Sequence, residues 1–430
     1  MSETTTLRPG YEKPENKSFP QDWKVSQLYE ACTFHQGGKL GITKSAGYVA
    51  SGVPAYSAAG QDGYVGQVEF SNTDGVVLSA IGANCGRCFF ASGNWTTLAN
   101  VQAIIPSPSQ LDAKYLYYRV NRESYWPRSG SAQPFIKPSD VRNCWVAHPP
   151  IDQQKIIASI LDTLNTQIQK TEALIAKLEK VKEGLLHDLL TRGIDENGQL
   201  RPSPEQAPEL YKDSPLGLIP REWVCDQLKW FVPTADYGIS SSLSDSGEVP
   251  VLRMNNFQDG EASLGSLKFS PASSISGLTL QYGDVLFNRT NSIDHVGRTG
   301  IWRGQLPRVS FASYLVRLNP DQEKLSPEYL NFWLNLNSTK NMVKRYATPG
   351  VHQVNVNPTN LRKVYMAAPS SMKEQVKVVD ALLGLNKKIK KEQHAVAKLK
   401  SEKTALMDDL LTGRVRVTPL LEHAETGTPA

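Results

Sequence analysis

The stretch Ile151 to Arg192, IDQQKIIASILDTLNTQIQKTEALIAKLEKVKEGLLHDLLTR, decides the architecture, because the chain builds it twice. It returns from Met372 to Arg414 as MKEQVKVVDALLGLNKKIKKEQHAVAKLKSEKTALMDDLLTGR. Placing Gln154 over Gln375, a shift of 375 − 154 = 221, aligns the copies without a gap. Asn165 then meets Asn386, Ala176-Lys177-Leu178 meets Ala397-Lys398-Leu399, and Asp188-Leu189-Leu190-Thr191 meets Asp409-Leu410-Leu411-Thr412. A repeat of this kind governs every later inference about the fold.

Both copies carry an apolar stripe at helical spacing. In the first it runs through Ile157, Leu161, Leu164, Ile168, Ile175, Leu178, Leu185 and Leu189; in the second through Val378, Leu382, Leu385, Ile389, Val396, Leu399, Leu406 and Leu410. No proline interrupts either run, so each predicts one helix of roughly 40 residues, a rod about 60 Å long at 1.5 Å per residue. A stripe on a lone helix would face water, so it needs a partner. The simplest partner is the other copy, paired as an antiparallel coiled coil with the globular parts at opposite ends. The copies differ in charge: residues 151–194 hold six basic and six acidic side chains, residues 372–416 eleven and six, including Lys387, Lys388, Lys390 and Lys391. That run reads either as a solvated face or as a surface near phosphates or an acidic partner.

The segments between the helices repeat as well. Phe19-Pro20-Gln21-Asp22-Trp23 recurs as Ile219-Pro220-Arg221-Glu222-Trp223. Asp74-Gly75-Val76-Val77-Leu78 echoes Gly283-Asp284-Val285-Leu286-Phe287, each followed by Gly-Arg, at Gly86-Arg87 and Gly297-Arg298. Gly130, Gln133, Ile136, Pro138 and Arg142 match Gly350, Gln353, Val356, Pro358 and Arg362, all at a shift of 220. The expected organisation is a flexible tail over 1–18, a globular domain over 19–150, a long helix over 151–194 and a polar linker over 195–216. A second domain over 217–370, a second helix over 371–416 and a tail over 417–430 follow. The fold class is α+β, with two mixed α/β domains in a pseudo-two-fold internal repeat. Gly75–Ile81, Asp284–Asn288, Val101–Ile105 and Tyr314–Leu318 read as strands, Tyr115–Val120 and Pro327–Leu336 as short helices, and the many Gly, Ser and Asn residues between them as loops.

At 430 residues the chain exceeds one ordinary core. No apolar run reaches the roughly 18–20 residues that span a bilayer, and the polar start MSETTTLRPGYEKPENK has no apolar segment of a signal peptide. Five cysteines, Cys32, Cys85, Cys88, Cys144 and Cys225, fit a reducing cytoplasm better than a disulfide framework. The net charge of +5 is compatible with nucleic acid without demanding it.

Catalytic signatures are missing. There is no P-loop, dinucleotide fingerprint, zinc-protease motif or nucleophile elbow, and no Asn/Asp-Pro-Pro-aromatic motif of amino-methyltransferases. Cys85-Gly86-Arg87-Cys88 is a lone C-x-x-C, two ligands short of a zinc site, and no metal is expected. Asp22-Trp23-Lys24 resembles part of a nuclease motif, but its repeat partner Glu222-Trp223-Val224 lacks the lysine, which favours packing of the tryptophan. No catalytic residue is assigned.

What remains is binding chemistry in Gly-rich loops. The first domain offers His35, Lys39, Lys44, Tyr48, Tyr56, Arg87, Arg128 and Gln133; the second offers Tyr237, Arg253, Asn255, Asn256, Arg289, Asn291, Arg298, His352 and Gln353. Arginine can bridge guanine O6/N7, and Asn or Gln can bridge adenine N6/N7; Lys and Arg also neutralise phosphates. Each could equally be a solvated or fold-stabilising side chain, and the shared repeat position of Gln133 and Gln353 suits a structural role as well as a base contact.

These strings together resemble the specificity (S) subunit of type I restriction–modification systems. The resemblance rests on Pro149-Pro150-Ile151-Asp152-Gln153-Gln154, on Gly184 to Gly193 (GLLHDLLTRG), on Tyr211 to Trp223 (YKDSPLGLIPREW) and on Leu406 to Val415 (LMDDLLTGRV), and covers about 19–416. The second helix starts after Pro369-Ser370-Ser371 instead of a Pro-Pro pair. The resemblance implies a non-catalytic chain whose two target recognition domains read the halves of a bipartite double-stranded DNA site, while the helices set the gap. It implies docking of two modification subunits that methylate adenine with S-adenosylmethionine, and of two restriction subunits that use ATP and Mg²⁺ to cleave. No cofactor is expected in this chain itself. Two other readings stand beside it: a non-catalytic scaffold with two ligand-binding modules on a coiled-coil spacer, and an enzyme with an unfamiliar site. Salt-insensitive DNA binding would mark the scaffold, and methyl transfer by the chain alone would mark the enzyme.

Overall fold

The computed structural model describes residues 9–14, 18–43, 47–130, 132–275, 277–350 and 353–421. Two long helices dominate it, Ile151–Thr191 and Met372–Thr412. Each stops at a glycine that turns the backbone left-handed, Gly193 at φ +63° and Gly413 at φ +74°, where a side chain would be strained. All sixteen stripe residues are buried or half-buried. The chain divides into two compact units, one built from 1–173 with 393–430 and one from the continuous stretch 174–392.

In the first unit a four-stranded antiparallel sheet runs in the order Cys32–Gln36, Val101–Pro106, Gly75–Ser79, Cys88–Ala91. Helix Ala113–Val120 packs over it, started by Asp112, whose carboxylate accepts from the Tyr115 amide at 2.8 Å. A second sheet joins Val53–Ser57 in parallel to Thr96–Thr97, and Lys24–Gln27 pairs with Trp145–His148 just ahead of the long helix. Ile157 and Leu161 enter the core with Tyr115 and Tyr125, as do Leu410 and Leu411 from the second long helix. The helix segments run antiparallel: Lys400 meets Glu172 at 2.7 Å, and Lys403, one turn later, meets Asn165 at 3.0 Å, earlier in its helix.

The second unit has the same plan. Strands Thr234–Tyr237, Leu315–Asn319, Val285–Asn288 and Thr299–Ile301 follow one another in a sheet that two short strands extend to six. Helix Pro327–Asn335 packs on it, capped by Ser326. Val249–Leu252 joins Ser310–Phe311 in parallel, and Trp223–Gln227 pairs with Tyr365–Pro369. The sequence strands and helices therefore lie where expected, with ends moved by one or two residues.

The repeat reaches single bonds. Gln154 is fully buried; its side chain accepts from the Asp112 amide at 2.8 Å and donates to the carbonyls of Gln110 at 3.0 Å and Pro149 at 2.8 Å. Gln375, also fully buried, accepts from the Ser326 amide at 2.9 Å and donates to Lys324 at 2.8 Å and Pro369 at 2.9 Å.

The stretch expected only as a polar linker is folded. Tyr211–Ser214 and Gly217–Pro220 form a hairpin, Tyr211 is buried with its hydroxyl on the Pro202 carbonyl at 2.5 Å, and Arg201 ion-pairs with Glu374 at 2.5 Å. Composition misleads here because the polar groups find partners in the fold, some as distant in sequence as Glu374 is from Arg201. Of the expected flexible tail over 1–18, Gly10 is pinned: its amide donates to the Tyr125 carbonyl at 2.8 Å, and its carbonyl accepts from Trp145 at 2.6 Å. Its other residues lie partly outside the described ones. In the expected C-terminal tail Val417 is buried in the first unit's core, and 422–430 lie outside the described residues.

Candidate nucleic-acid interface

The two glycine–glutamine repeats turn out to be the tips of two matching hairpins. In the first unit Ser129 and Phe135 exchange backbone hydrogen bonds, both 2.9 Å, and the hairpin lies along 80–82 through Ile136 to Ala80 and Gly82 to Pro134, again 2.9 Å each. In the second unit Thr348–Pro349 pairs with Val354–Asn355, which pairs in turn with Thr290–Asn291. Each hairpin ends in a short helix with proline at its start, Pro138–Arg142 and Pro358–Leu361.

The spacing has a steric cause. A Cβ on Gly130 would stand 2.8 Å from the Gln133 carbonyl oxygen, and one on Gly350 would stand 2.8 Å from that of Gln353. Only glycine lets the glutamine backbone fold back so closely. Both glutamines are exposed.

Beside each hairpin lies an open cleft. The first unit's, about 410 Å³, is bordered by Gln36, Asn100, Gln102, Gln133 and Lys137 with Ile81 and Phe135. The second unit's, about 770 Å³, is bordered by Arg289, Thr290, Thr348, Gln353, Asn355 and Asn357. No carboxylate lines either cleft among the described residues. Arg289 is held in place: its guanidinium lies 5.1 Å over the Tyr237 ring and donates to the Ser313 carbonyl at 3.2 Å. Amides, a hydroxyl-bearing wall and cations without counter-charges suit a ligand rich in acceptors and negative charge, and amide and guanidinium groups can address base edges in pairs.

The structure sorts the candidates chosen by residue type. Arg289 and Gln353 share the second cleft, Tyr237 supports Arg289, and Asn291 lies opposite Val354 in the same small sheet. Gln133 lies in the first cleft. Lys39 and Asn255 are exposed loop residues that border neither. Arg87 and Arg128 both turn to Glu123, at 3.9 and 3.0 Å. Tyr56 is packing: it meets Trp95 edge-on at 6.0 Å, its hydroxyl donates to the Phe90 carbonyl at 3.4 Å, and burial pushes its ionisation up. His35 meets Phe70 edge-on at 5.2 Å, and Tyr48 is half-buried in a short strand. Asn256 is fully buried and closes a turn, accepting from the Arg253 amide at 2.9 Å and donating to Ser263 at 3.1 Å; Arg253 itself donates to Ser266 at 2.6 Å. Arg298 borders a different cleft. Lys44 and His352 lie outside the described residues. Sequence reasoning missed Gln36, Asn100 and Lys137, and Thr290, Asn355 and Asn357; the shift of 220 that pairs Lys137 with Asn357 was the available signal.

Cys85, Cys88 and Cys144 are core residues, and Cys32 and Cys225 are half-buried. Cys85 and Cys88 are buried, with Cys85 donating to Ala80 at 3.5 Å and Cys88 to Val120 at 3.8 Å, and burial pushes both thiols up.

Residues 20–180 match the family model of the type I restriction modification DNA specificity domain. The chain is 24% identical over 429 residues to the type I restriction enzyme MjaVIII specificity subunit of Methanocaldococcus jannaschii, covering 93% of this chain and 95% of that one. It is 26% identical over 223 residues to the putative MjaX specificity subunit of the same organism, and 25% over 251 residues to the EcoKI specificity subunit of Escherichia coli. Those two matches span about half of each relative, 52% and 51%. The fold is that of the S subunit from M. genitalium, at TM-score 0.60 and 14% identity over 94% of this chain and 98% of that one. Taken with the duplicated plan of helix, hairpin and cleft, these findings make the chain similar, over most of its length, to the specificity subunits of type I restriction–modification systems.

Proposed function

We propose that this chain is the DNA sequence-recognition subunit of a type I restriction–modification complex, with recognition domains over 19–150 and 217–370. Each hairpin cleft reads one half of a bipartite duplex site, in the first unit through Gln133 with Gln36, Asn100 and Lys137, in the second through Arg289, Gln353, Asn355 and Asn357. The observation that carries this reading is the pair of clefts lined by amides and cations, with no carboxylate among the described residues, on hairpins built alike in the two units. The long helices over 151–194 and 371–416 act as spacer and as the docking rod for two modification subunits, which supply S-adenosylmethionine-dependent methylation of adenine. Restriction subunits using ATP and Mg²⁺ supply cleavage. The chain itself performs neither reaction and works in the cytoplasm, where its five free cysteines stay reduced. No described helix is long and apolar enough to cross a membrane.

The test is a genome-wide map of methylated adenines in cells with and without the chain. Exchange of 217–368 for another recognition domain is expected to change one half of the site only; a change in both halves contradicts independent reading. A one-turn insertion near Glu172–Ala176 is expected to lengthen the gap, and an unchanged gap rules out the spacer role. DNA binding that ignores salt would favour a scaffold for another ligand.

A further inference from the structure

The 174–392 unit holds a second polar cleft, of about 400 Å³, which shares no lining residue with the hairpin cleft. Four elements meet there. The first long helix brings Lys182, the second brings Asn386, the turn after Asn291 brings Arg298, and helix Asn337–Lys344 brings Lys340. Lys182 and Lys340 are half-buried, and Arg298 is exposed at the mouth of the cleft. Among the described residues no carboxylate pairs with Lys182, Arg298, Lys340 or the nearby Lys344. Two acids also line the cleft: Glu261 is held by Arg303 at 3.1 Å, and Asp259 is exposed, so three cations stand against one carboxylate that Arg303 does not hold. Burial, then Arg298 and Lys344, hold the Lys340 ammonium below its ordinary ionisation range. Like charges gathered beside half-buried lysines oppose folding unless an anion joins them.

The first unit provides an internal comparison. Arg87 stands where Arg298 does, after the same Gly-Arg step, and Glu123 neutralises it at 3.9 Å. Lys403 stands where Lys182 does at the shift of 221; it is committed to Asn165 at 3.0 Å and lies 5.8 Å from the Tyr118 ring. Asp162, which takes Lys114 at 2.9 Å, is replaced by Leu383. The turn Glu123–Tyr125 supplies a carboxylate where Asn337–Lys344 supplies lysines. The same framework is thus neutralised in one unit and left cationic in the other.

We propose that this cleft binds a phosphate group, gripped by Lys182, Arg298 and Lys340. Three cations bordering one cleft suit the three charged oxygens of a phosphate better than the two of a carboxylate, and the volume leaves room for what the phosphate is attached to. The phosphate belongs either to a small molecule or to a DNA backbone. The proposal goes beyond the base-reading role and does not require it.

The test is thermal unfolding of the full chain in phosphate against chloride and against glutamate, at equal ionic strength. Wild type, Lys340→Gln, Lys340→Arg and the double variant Arg298→Gln/Lys340→Gln are compared. Phosphate also stabilises proteins by exclusion from their surface, equally in all variants, so the difference between variants is the reading. A phosphate-specific rise of about 2–4 °C at saturation is expected in wild type, kept by Lys340→Arg, reduced by Lys340→Gln and lost in the double variant. The double variant in chloride is expected to melt no lower than wild type, because it relieves like-charge repulsion. An equal rise in all four proteins, no rise in wild type, or an equal rise with glutamate overturns the proposal. The source is read from DNA binding: a backbone phosphate lowers the slope of log K against log salt by about 1 in the double variant, whereas a small-molecule site leaves the slope unchanged. A wild-type chain that binds no DNA would sink the recognition reading and leave the phosphate response intact.

Discussion

Gln154 and Gln375 make the same three backbone hydrogen bonds, one in each unit. Each ties the first turn of a long helix to the start of the short helix on the sheet and to the proline before the long helix. Truncation to alanine leaves the buried carbonyl of Pro149 or Pro369 unpartnered, and takes the same partner from a half-buried amide and a second, more exposed carbonyl. Gln154→Ala and Gln375→Ala are each expected to cost about 2–4 kcal/mol, read from urea unfolding followed by domain-specific tryptophan probes. A loss below about 0.5 kcal/mol would mean water replaces the amide and the fixing role is wrong.

Alanine at Gly130 or Gly350 forces the hairpin tip open, because the new methyl group meets the glutamine carbonyl at 2.8 Å. Circular dichroism is expected to stay unchanged while DNA affinity falls about tenfold, the equivalent of about 1.4 kcal/mol. Methylation mapping is expected to show relaxed choice in the half-site read by the altered unit and unchanged choice in the other. Full activity in both variants would remove the hairpins from the interface.

Arg289→Ala removes a guanidinium seated on Tyr237. An expected loss of about 1–3 kcal/mol at one base pair separates direct reading from phosphate contact. A phosphate contact would instead weaken all sequences alike and lower the salt slope by about 1.

Acid is expected to destabilise the first unit through His148. The ring is 5% exposed, with Nδ1 3.3 Å from the Gln154 amide, and burial holds its ionisation below the ordinary 6.5. Below pH 6.5 the unfolded chain takes up a proton that the folded ring resists, so the unfolded state binds more protons and stability drops as pH falls. Stability is full above that point. His148→Gln is expected to flatten the pH dependence between pH 7 and 5, measured by unfolding midpoints; an unaltered slope would assign the acid sensitivity elsewhere.

The long helices were legible because periodicity is local: proline-free runs with apolar residues three or four apart need no knowledge of the rest of the chain. The duplication was legible for the same reason, being visible in strings such as Gly130…Gln133 and Gly350…Gln353. The interface was legible only in part. Tyr56 and Asn256 are residue types that suit DNA, yet one fills a core and the other closes a turn. Asn355 borders the cleft because Val354–Asn355 pairs with Thr290–Asn291, some 60 residues away. Pairings of that range leave no mark in the local pattern. The folded stretch before Tyr211 was hidden for a different reason: a polar composition does not reveal that Arg201 has Glu374 to meet.

The first unit draws on 1–173 and 393–430, whereas the second is one unbroken stretch. On the ribosome this fixes an order of completion. The first unit must wait for 392 − 174 + 1 = 219 residues to be made before Leu410 and Leu411 can reach its core. At about 5–20 residues per second that is about 10–40 s, during which Ile157, Leu161 and their neighbours lack part of their cover. The later unit closes first, and the earlier one is held open until synthesis is nearly done.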